Sequence, residues 1–303
     1  MKLAFSTNAF TRYSLSEALR AIAAAGYQGV EILADKPHWY PDRFDKGEAE
    51  SIRNELAELK LAVSNINANC TFGYWKDAPP EPFFEPSLIS PDPRHVADRV
   101  RMIQNTLQFA KAIGAANISI TSGKALPTMP PDAAMKQLRE SLAPVLETAE
   151  KLKIRVGIES EPGLFIEYAT ELRELIDRLG SKMLGANLDL GHSVVIGEDL
   201  PATINLLSGV APAKPGTKTP AKPSAAARGG GRIWNCHIED LPGRKHYHLI
   251  PGTGTMDWQA LRTALQAVNY DRFLTVELYT FPDRPQEAAE QSIAYLRPIF
   301  GEP

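Results

Sequence analysis

Four short runs of the chain end alike: RVGIE at 155–159, MLGANLD at 183–189, RIWNCH at 232–237 and FLTVE at 273–277. Each is apolar and strand-like, and each closes on a side chain able to bind a metal ion: Glu159, Asp189, His237 and Glu277. Working outward, strand-like runs recur at 2–7, 28–33, 61–66, 116–121, 154–159, 184–189, 232–238 and 272–278. Between them lie segments such as SLSEALRAIAAAG and ADRVRMIQNTLQFAKAIGA, apolar at three- and four-residue steps, as expected of helices packed by one face. Gly26, Gly114 and Gly180 fall where helices should stop. Eight strand–helix units close most simply into a (β/α)8 barrel, whose strand C-termini share one face. Four ligands at equivalent strand ends therefore converge.

The 303 residues suit a single α/β barrel spanning 1–303, since eight units need about 250 residues. Three stretches exceed the bare barrel. Residues 35–47 and 70–94 follow strands two and three and rise over the strand-end face as lid-like loops. Their rings, Trp39, Tyr40, Phe72, Tyr74, Trp75, Phe83 and Phe84, either wall a pocket there or pack the loops onto the rim. Residues 209–231, rich in Pro, Ala, Gly and Lys, read as a flexible insertion before strand seven, on the opposite face. A formal charge of −3 gives no electrostatic reason to expect nucleic acid or an anionic membrane as partner. No apolar run reaches the roughly 18 residues of a membrane span, and the N-terminus turns polar too soon for a secretory signal. The expected setting is cytoplasmic, which two cysteines, Cys70 and Cys236, also suit.

Three carboxylates and one imidazole suit one divalent ion, Mg²⁺, Mn²⁺, Co²⁺ or Zn²⁺. Taken alone, a strand-terminal Glu or Asp is as readily a helix N-cap or an ion-pair member. Four such explanations at four equivalent positions are much harder to sustain than one metal site.

The strand ends IESEPG, NLDLGH, NCHIED and TVELY, with HLIPGTGTMDW after the seventh, resemble the xylose-isomerase-like TIM barrels. That family includes ketose 3-epimerases, hydroxypyruvate isomerases, inosose-processing enzymes and endonuclease IV. The most specific matches are D-x-G-H at 189–192 and the run from His237 to Gly254. The resemblance implies that Glu159, Asp189, His237 and Glu277 hold a metal ion, that the two glutamates move protons, and that His192 contacts substrate or a further metal. Arg244, His246 and His248 then lie where substrate phosphate or carboxylate, or a second metal, is held; endonuclease IV would place an Asp at the position of His246. Asn67 and Thr121 stand where the nuclease supplies further histidines.

Beyond the resemblance, Glu161 shares the strand phase of Glu159, and so is either an alternative ligand and substrate contact or a helix-entry carboxylate before Pro162. Glu31 either lines the mouth or pairs with a neighbouring Arg or Lys. With Trp39 and Trp75 as candidate walls, the expected partner is a small polyhydroxy carbonyl compound, and assembly into homo-oligomers is left open. The expected activity is isomerisation or epimerisation through an enediolate, with Glu159 and Glu277 as acid and base. The alternatives are a dehydratase or endonuclease IV-like phosphodiesterase on the same scaffold, or a non-catalytic ligand-binding barrel.

Overall fold

A computed structural model describes residues 1–69, 72–77, 84–209 and 230–301. Eight parallel strands close in sequence order: β1 Lys2–Ser6, β2 Gly29–Leu33, β3 Ala62–Asn67, β4 Asn117–Thr121, β5 Arg155–Glu159, β6 Leu184–Asp189, β7 Ile233–Ile238 and β8 Phe273–Val276. The expected strands are found within a residue or two, and the fold is the anticipated (β/α)8 barrel. Among the described residues nine helices surround it: α1 Leu15–Ala25, α2 Lys46–Glu58, α3 Pro93–Ile113, α4 Pro131–Leu152, α5 Ala169–Leu179, α6 Leu190–Ile196, α7 Leu200–Ser208, α8 Trp258–Ala267 and α9 Pro285–Phe300. Gly26, Gly114 and Gly180 do end α1, α3 and α5, each in the left-handed conformation that a side chain would strain. None of the described helices is long and apolar enough to cross a membrane.

Alternation along each strand sorts the side chains. Val156, Ile158, Leu184, Ala186 and Leu188 belong to the apolar core, while the opposite phase carries polar groups into the barrel. The interior of such a barrel is ordinarily filled by branched apolar side chains. Here much of it is a hydrogen-bonded polar layer. Asn65 Nδ2 donates to Glu31 Oε2 at 2.7 Å and to Ser119 Oγ at 2.8 Å, and Asn117 donates to Asn65 Oδ1 at 2.8 Å. Across the barrel, Thr275 Oγ1 donates to Asn235 Oδ1 at 3.0 Å, Asn235 donates to Asn187 Oδ1 at 2.9 Å, and Asn187 reaches His237 Nδ1 at 3.2 Å. Such a layer is stable only when its members satisfy one another, and it then fixes the strand ends rigidly.

Parallel register sets Thr121 beside Glu159, Glu159 beside Asn187, and Asp189 beside His237. Asp35 and Lys36 of the first rim loop and Phe72 and Phe84 of the second lie at this end, beside Glu159 and Glu277. The carboxylate of Asp35 ties them together by accepting from the backbone N–H groups of Phe72 at 2.9 Å and Gly73 at 2.8 Å.

Residues 210–229, nearly all of the expected insertion, lie outside the described residues, as do Cys70 and Phe83. Their anchors are described and adjoin. A Cβ added to Gly231 would sit 1.7 Å from the carbonyl oxygen of Ser208, at the end of α7. The chain thus departs and returns at one point, so a shorter closure is geometrically available. Replacing 211–229 with a short Gly/Ser linker should leave the melting temperature and turnover unchanged. Thermal unfolding and a rate assay of the variant check this.

Candidate metal centre

The four strand-end side chains meet. One ligand atom from each of Glu159, Asp189, His237 and Glu277 lies within 4.8 Å of all the others, and all four residues are buried. His237 Nδ1 stands 2.8 Å from Glu159 Oε1, 3.5 Å from Glu277 Oε2 and 3.9 Å from Asp189 Oδ2. Bonds of about 2.0–2.2 Å to a common ion separate neighbouring ligands by roughly 3–3.5 Å, so the set needs little adjustment to hold one. Asp189 Oδ2 is buried without a hydrogen-bond partner. An orphaned carboxylate oxygen facing an imidazole nitrogen and two further carboxylates is what a cation would satisfy.

Asp189 serves two purposes, so the helix-cap and ligand readings of it are both correct. Its Oδ1 caps α6 by accepting the N–H of His192 at 2.8 Å, which turns Oδ2 towards the cluster. Glu277 follows directly on β8, and its Oε1 accepts from Asn8 Nδ2 at 2.9 Å and Asn67 Nδ2 at 3.1 Å. Asn69 Nδ2 donates to Glu159 Oε2 at 3.3 Å. Burial pushes Glu277 well above the usual carboxylate range, with Glu159, Glu31 and Asp189 adding to the shift and His237 opposing it.

Glu31 neither pairs with an Arg or Lys nor lines the cavity. It is fully buried on β2, and its Oε2 lies 2.6 Å from His237 Nε2. Because His237 donates Nε2–H to this carboxylate, the Nδ1 lone pair is the one turned to the cluster. Glu239 is another buried carboxylate, two residues past His237, pushed well above its usual range by burial and by Asp189. A Cβ on Gly191 would meet its Oε1 at 1.5 Å, which explains the glycine of D-x-G-H.

A cavity of about 400 Å³ opens beside the cluster, lined by Asn67, Glu159, Glu161, His192, His246, His248 and Glu277 among others. Three of these are histidines with ligand atoms within 4.8 Å of one another. His192 Nδ1 and His248 Nδ1 are held by the carbonyls of Ser160 and Glu277, at 3.1 and 2.8 Å, while His248 Nε2 approaches His246 Nε2 at 2.9 Å. Burial works against charge on His192, but Asp189 and Glu161 raise it to about 9; burial lowers His248 to about 3. Glu161 is raised to about 7 by burial. No helix begins at Pro162, so the helix-entry reading of Glu161 fails and its carboxylate faces the cavity.

Three expected contacts are absent from the cavity wall. The guanidinium of Arg244 donates to the carbonyl of Val195 at 3.0 and 3.2 Å, drawn to an open helix end rather than to the site. Trp39 is 1% exposed and stacks on Phe109 with centroids 3.9 Å apart, because the apolar gap under its loop outweighs a place at the rim. Trp75 donates its indole N–H to Glu85 O at 3.1 Å and packs edge-on against Tyr74 and His95. Thr121 is buried at the end of β4. Sequence reasoning missed Asn8, Asn69 and Tyr279, and missed the partner of Glu31.

The model of the xylose isomerase-like TIM barrel family matches residues 19–299. The chain belongs to that family. It is 23% identical over 303 residues to a fructoselysine 3-epimerase of Escherichia coli O157:H7, covering 100% of this chain and 99% of that protein. Among solved structures it superposes on a 3-keto-D-glucoside 4-epimerase, YcjR, from E. coli with a TM-score of 0.74 at 19% identity, over 98% of this chain and 99% of that one. It superposes equally on the IolI protein with a binding zinc atom, at a TM-score of 0.72 and 15% identity over the whole of both chains. These structural likenesses establish the shared barrel, and the family's relatives include sugar epimerases.

Metal analysis should find about one divalent ion per chain at the strand-end cluster, lost in Asp189→Ala and in His237→Ala, with a higher melting temperature for the loaded wild type. Because neighbouring carboxylates hold His237 well above its ordinary value despite its burial, a proton competes for Nδ1 through neutral pH. Metal affinity should therefore rise with pH, with proton release visible by calorimetry in buffers of different ionisation enthalpy. Glu31→Gln should weaken metal binding by about 10- to 100-fold, measured by chelator competition.

Proposed function

We propose that this protein is a divalent-metal-dependent isomerase or epimerase of a sugar, sugar phosphate, cyclitol or related polyhydroxy carbonyl compound. The observation that carries the reading is that Glu159, at the end of β5, and Glu277, just past β8, both approach His237 Nδ1 and both line one cavity. A bound Mg²⁺, Mn²⁺, Co²⁺ or Zn²⁺ supplies polarisation of the substrate carbonyl and offsets charge developing on its oxygen. One glutamate removes the proton from the carbon next to the carbonyl, giving an enediolate, and the other returns a proton to the opposite face. Return to the same carbon inverts it; return to the neighbouring carbon exchanges carbonyl and hydroxyl. The amides of Asn8, Asn67 and Asn69 keep both carboxylates aimed inward. Glu161, His192, His246 and His248 offer hydrogen bonds to substrate hydroxyls. A cytoplasmic setting belongs to the same reading.

The cluster of His192, His246 and His248 favours a second reading, in which it takes a second divalent ion and the scaffold serves a phosphodiesterase or dehydratase. Metal stoichiometry distinguishes the two, one ion per chain against two.

Glu277→Gln keeps an oxygen ligand but cannot ionise, so metal should be largely retained while turnover falls at least about 10²-fold. Solvent deuterium should enter the product of the wild type. Cleavage of abasic DNA by the metal-loaded protein, with no exchange at carbon on any polyhydroxy carbonyl compound, would overturn the proposal.

A further inference from the structure

We propose that the substrate carries an uncharged apolar substituent beside its polyhydroxy carbonyl unit, and that Leu33, Phe72, Phe84 and Tyr279 form the subsite that takes it. This rests on reading the site as a sugar isomerase or epimerase and narrows its substrate class. The cavity has two unlike halves. On the side of β5, β6 and β7 it presents Glu159, Glu161, His192, His246 and His248, donors and acceptors suited to hydroxyls. On the side of β2, β3 and β8 the polar groups Asp35, Asn67 and Asn69 are engaged with loop backbone, Glu277 and Glu159, and beside them and Lys36 the wall presents Leu33, Phe72, Phe84 and Tyr279.

That second half is built and exposed. Phe72 is 71% exposed and Tyr279 47%, the first and third highest values among the exposed large hydrophobic side chains of the described residues. The backbone of Phe72 is fixed where it is by the Asp35 carboxylate. Phe84 adopts φ 61°, a left-handed conformation that a bulky aromatic residue rarely takes, and this conformation sets its ring in the cavity wall. One ring would serve to stack the C–H face of a sugar. Three rings from the loops after β3 and β8, with a leucine at the end of β2, provide for an apolar group as well.

Charge points the same way. The lining includes the carboxylates of Asp35, Glu159, Glu161 and Glu277, and among the described residues its one Lys or Arg is Lys36, an exposed side chain whose ammonium lies 5.0 Å from the centroid of the Tyr40 ring. The guanidinium of Arg244 is engaged with Val195. Away from the metal cluster a dianionic substituent would find Lys36 alone as a Lys or Arg partner, whereas a neutral apolar one needs no counter-charge.

The test uses metal-loaded protein and four probes: D-fructose, its 1-O-benzyl and 6-O-benzyl ethers, and D-fructose 6-phosphate. Calorimetry reads binding, and proton exchange in deuterated water, followed by NMR, reads chemistry. One benzyl ether should bind about tenfold or more tightly than fructose, from the apolar area its ring buries, and the phosphate no more tightly than fructose. Phe72→Ala combined with Phe84→Ala should remove the gain of the benzyl ether. Equal affinity for fructose and both ethers, or preferential binding of the phosphate, overturns the subsite. Tight binding of an ether without exchange at any carbon sinks the proton-transfer reading and leaves the subsite standing; exchange on fructose without any gain from the ethers does the reverse.

Discussion

The hydrogen bond between Glu31 and His237 governs the rest of the site. Five carboxylates, Glu31, Glu159, Asp189, Glu239 and Glu277, are buried between the barrel floor and its mouth, where each ion costs several kcal/mol to remove from water. His237 lies within 4 Å of Glu31, Glu159, Asp189 and Glu277, and it has one nitrogen for each side of the problem. Nε2 answers Glu31 at the barrel floor; Nδ1 answers Glu159, Asp189 and Glu277 at the mouth. Were Glu31 absent, the imidazole could turn over or bind its proton on the other nitrogen, and the strand-end cluster would lose its imidazole ligand.

The polar interior follows from that arrangement. A carboxylate such as Glu31 at the barrel floor requires donors, and Asn65 provides one while being held by Asn117 and Ser119. A core of branched apolar side chains in the same place would leave Glu31 with its imidazole partner alone, and the desolvation cost would fall on the metal ligand itself. The barrel therefore gives up part of its apolar interior to keep four strand ends in register. Its apolar stability comes instead from the outer layer, where Val156, Ile158 and Leu188 pack with side chains of the surrounding helices.

What was legible in the sequence was what periodicity controls. Strands five to eight announce themselves because each apolar run ends on a ligand residue, and the period of two puts those residues on the inward phase. Glu159, Asp189, His237 and Glu277 were all found in this way. The same period places Glu31 inside the barrel, yet nothing in VEIL tells which residue 206 positions away it will meet. Loops have no period at all. Trp39, Trp75 and Arg244 looked like pocket residues by type and by loop, but their directions were decided by a buried ring, a backbone carbonyl and a helix end that lie far off in sequence. Asn8 and Asn69 went unnoticed because an amide carries no chemistry of its own; its value here lies entirely in the carboxylate it faces.

The two sides of the cavity reflect the same division. The hydroxyl-facing half stands on β5, β6 and β7, strands whose ends are pinned by the metal ligands, so its chemistry is constrained by the cluster. The apolar side chains stand on the end of β2 and the loops after β3 and β8, with the β3 loop tied to Asp35 and its two rings free of any ligand duty. Substitution in those loops changes what can be bound without disturbing the side chains that move protons. A barrel of this kind can thus keep one reaction and alter its substrate, and the loops, rather than the strand ends, are where the identity of this protein's substrate is written.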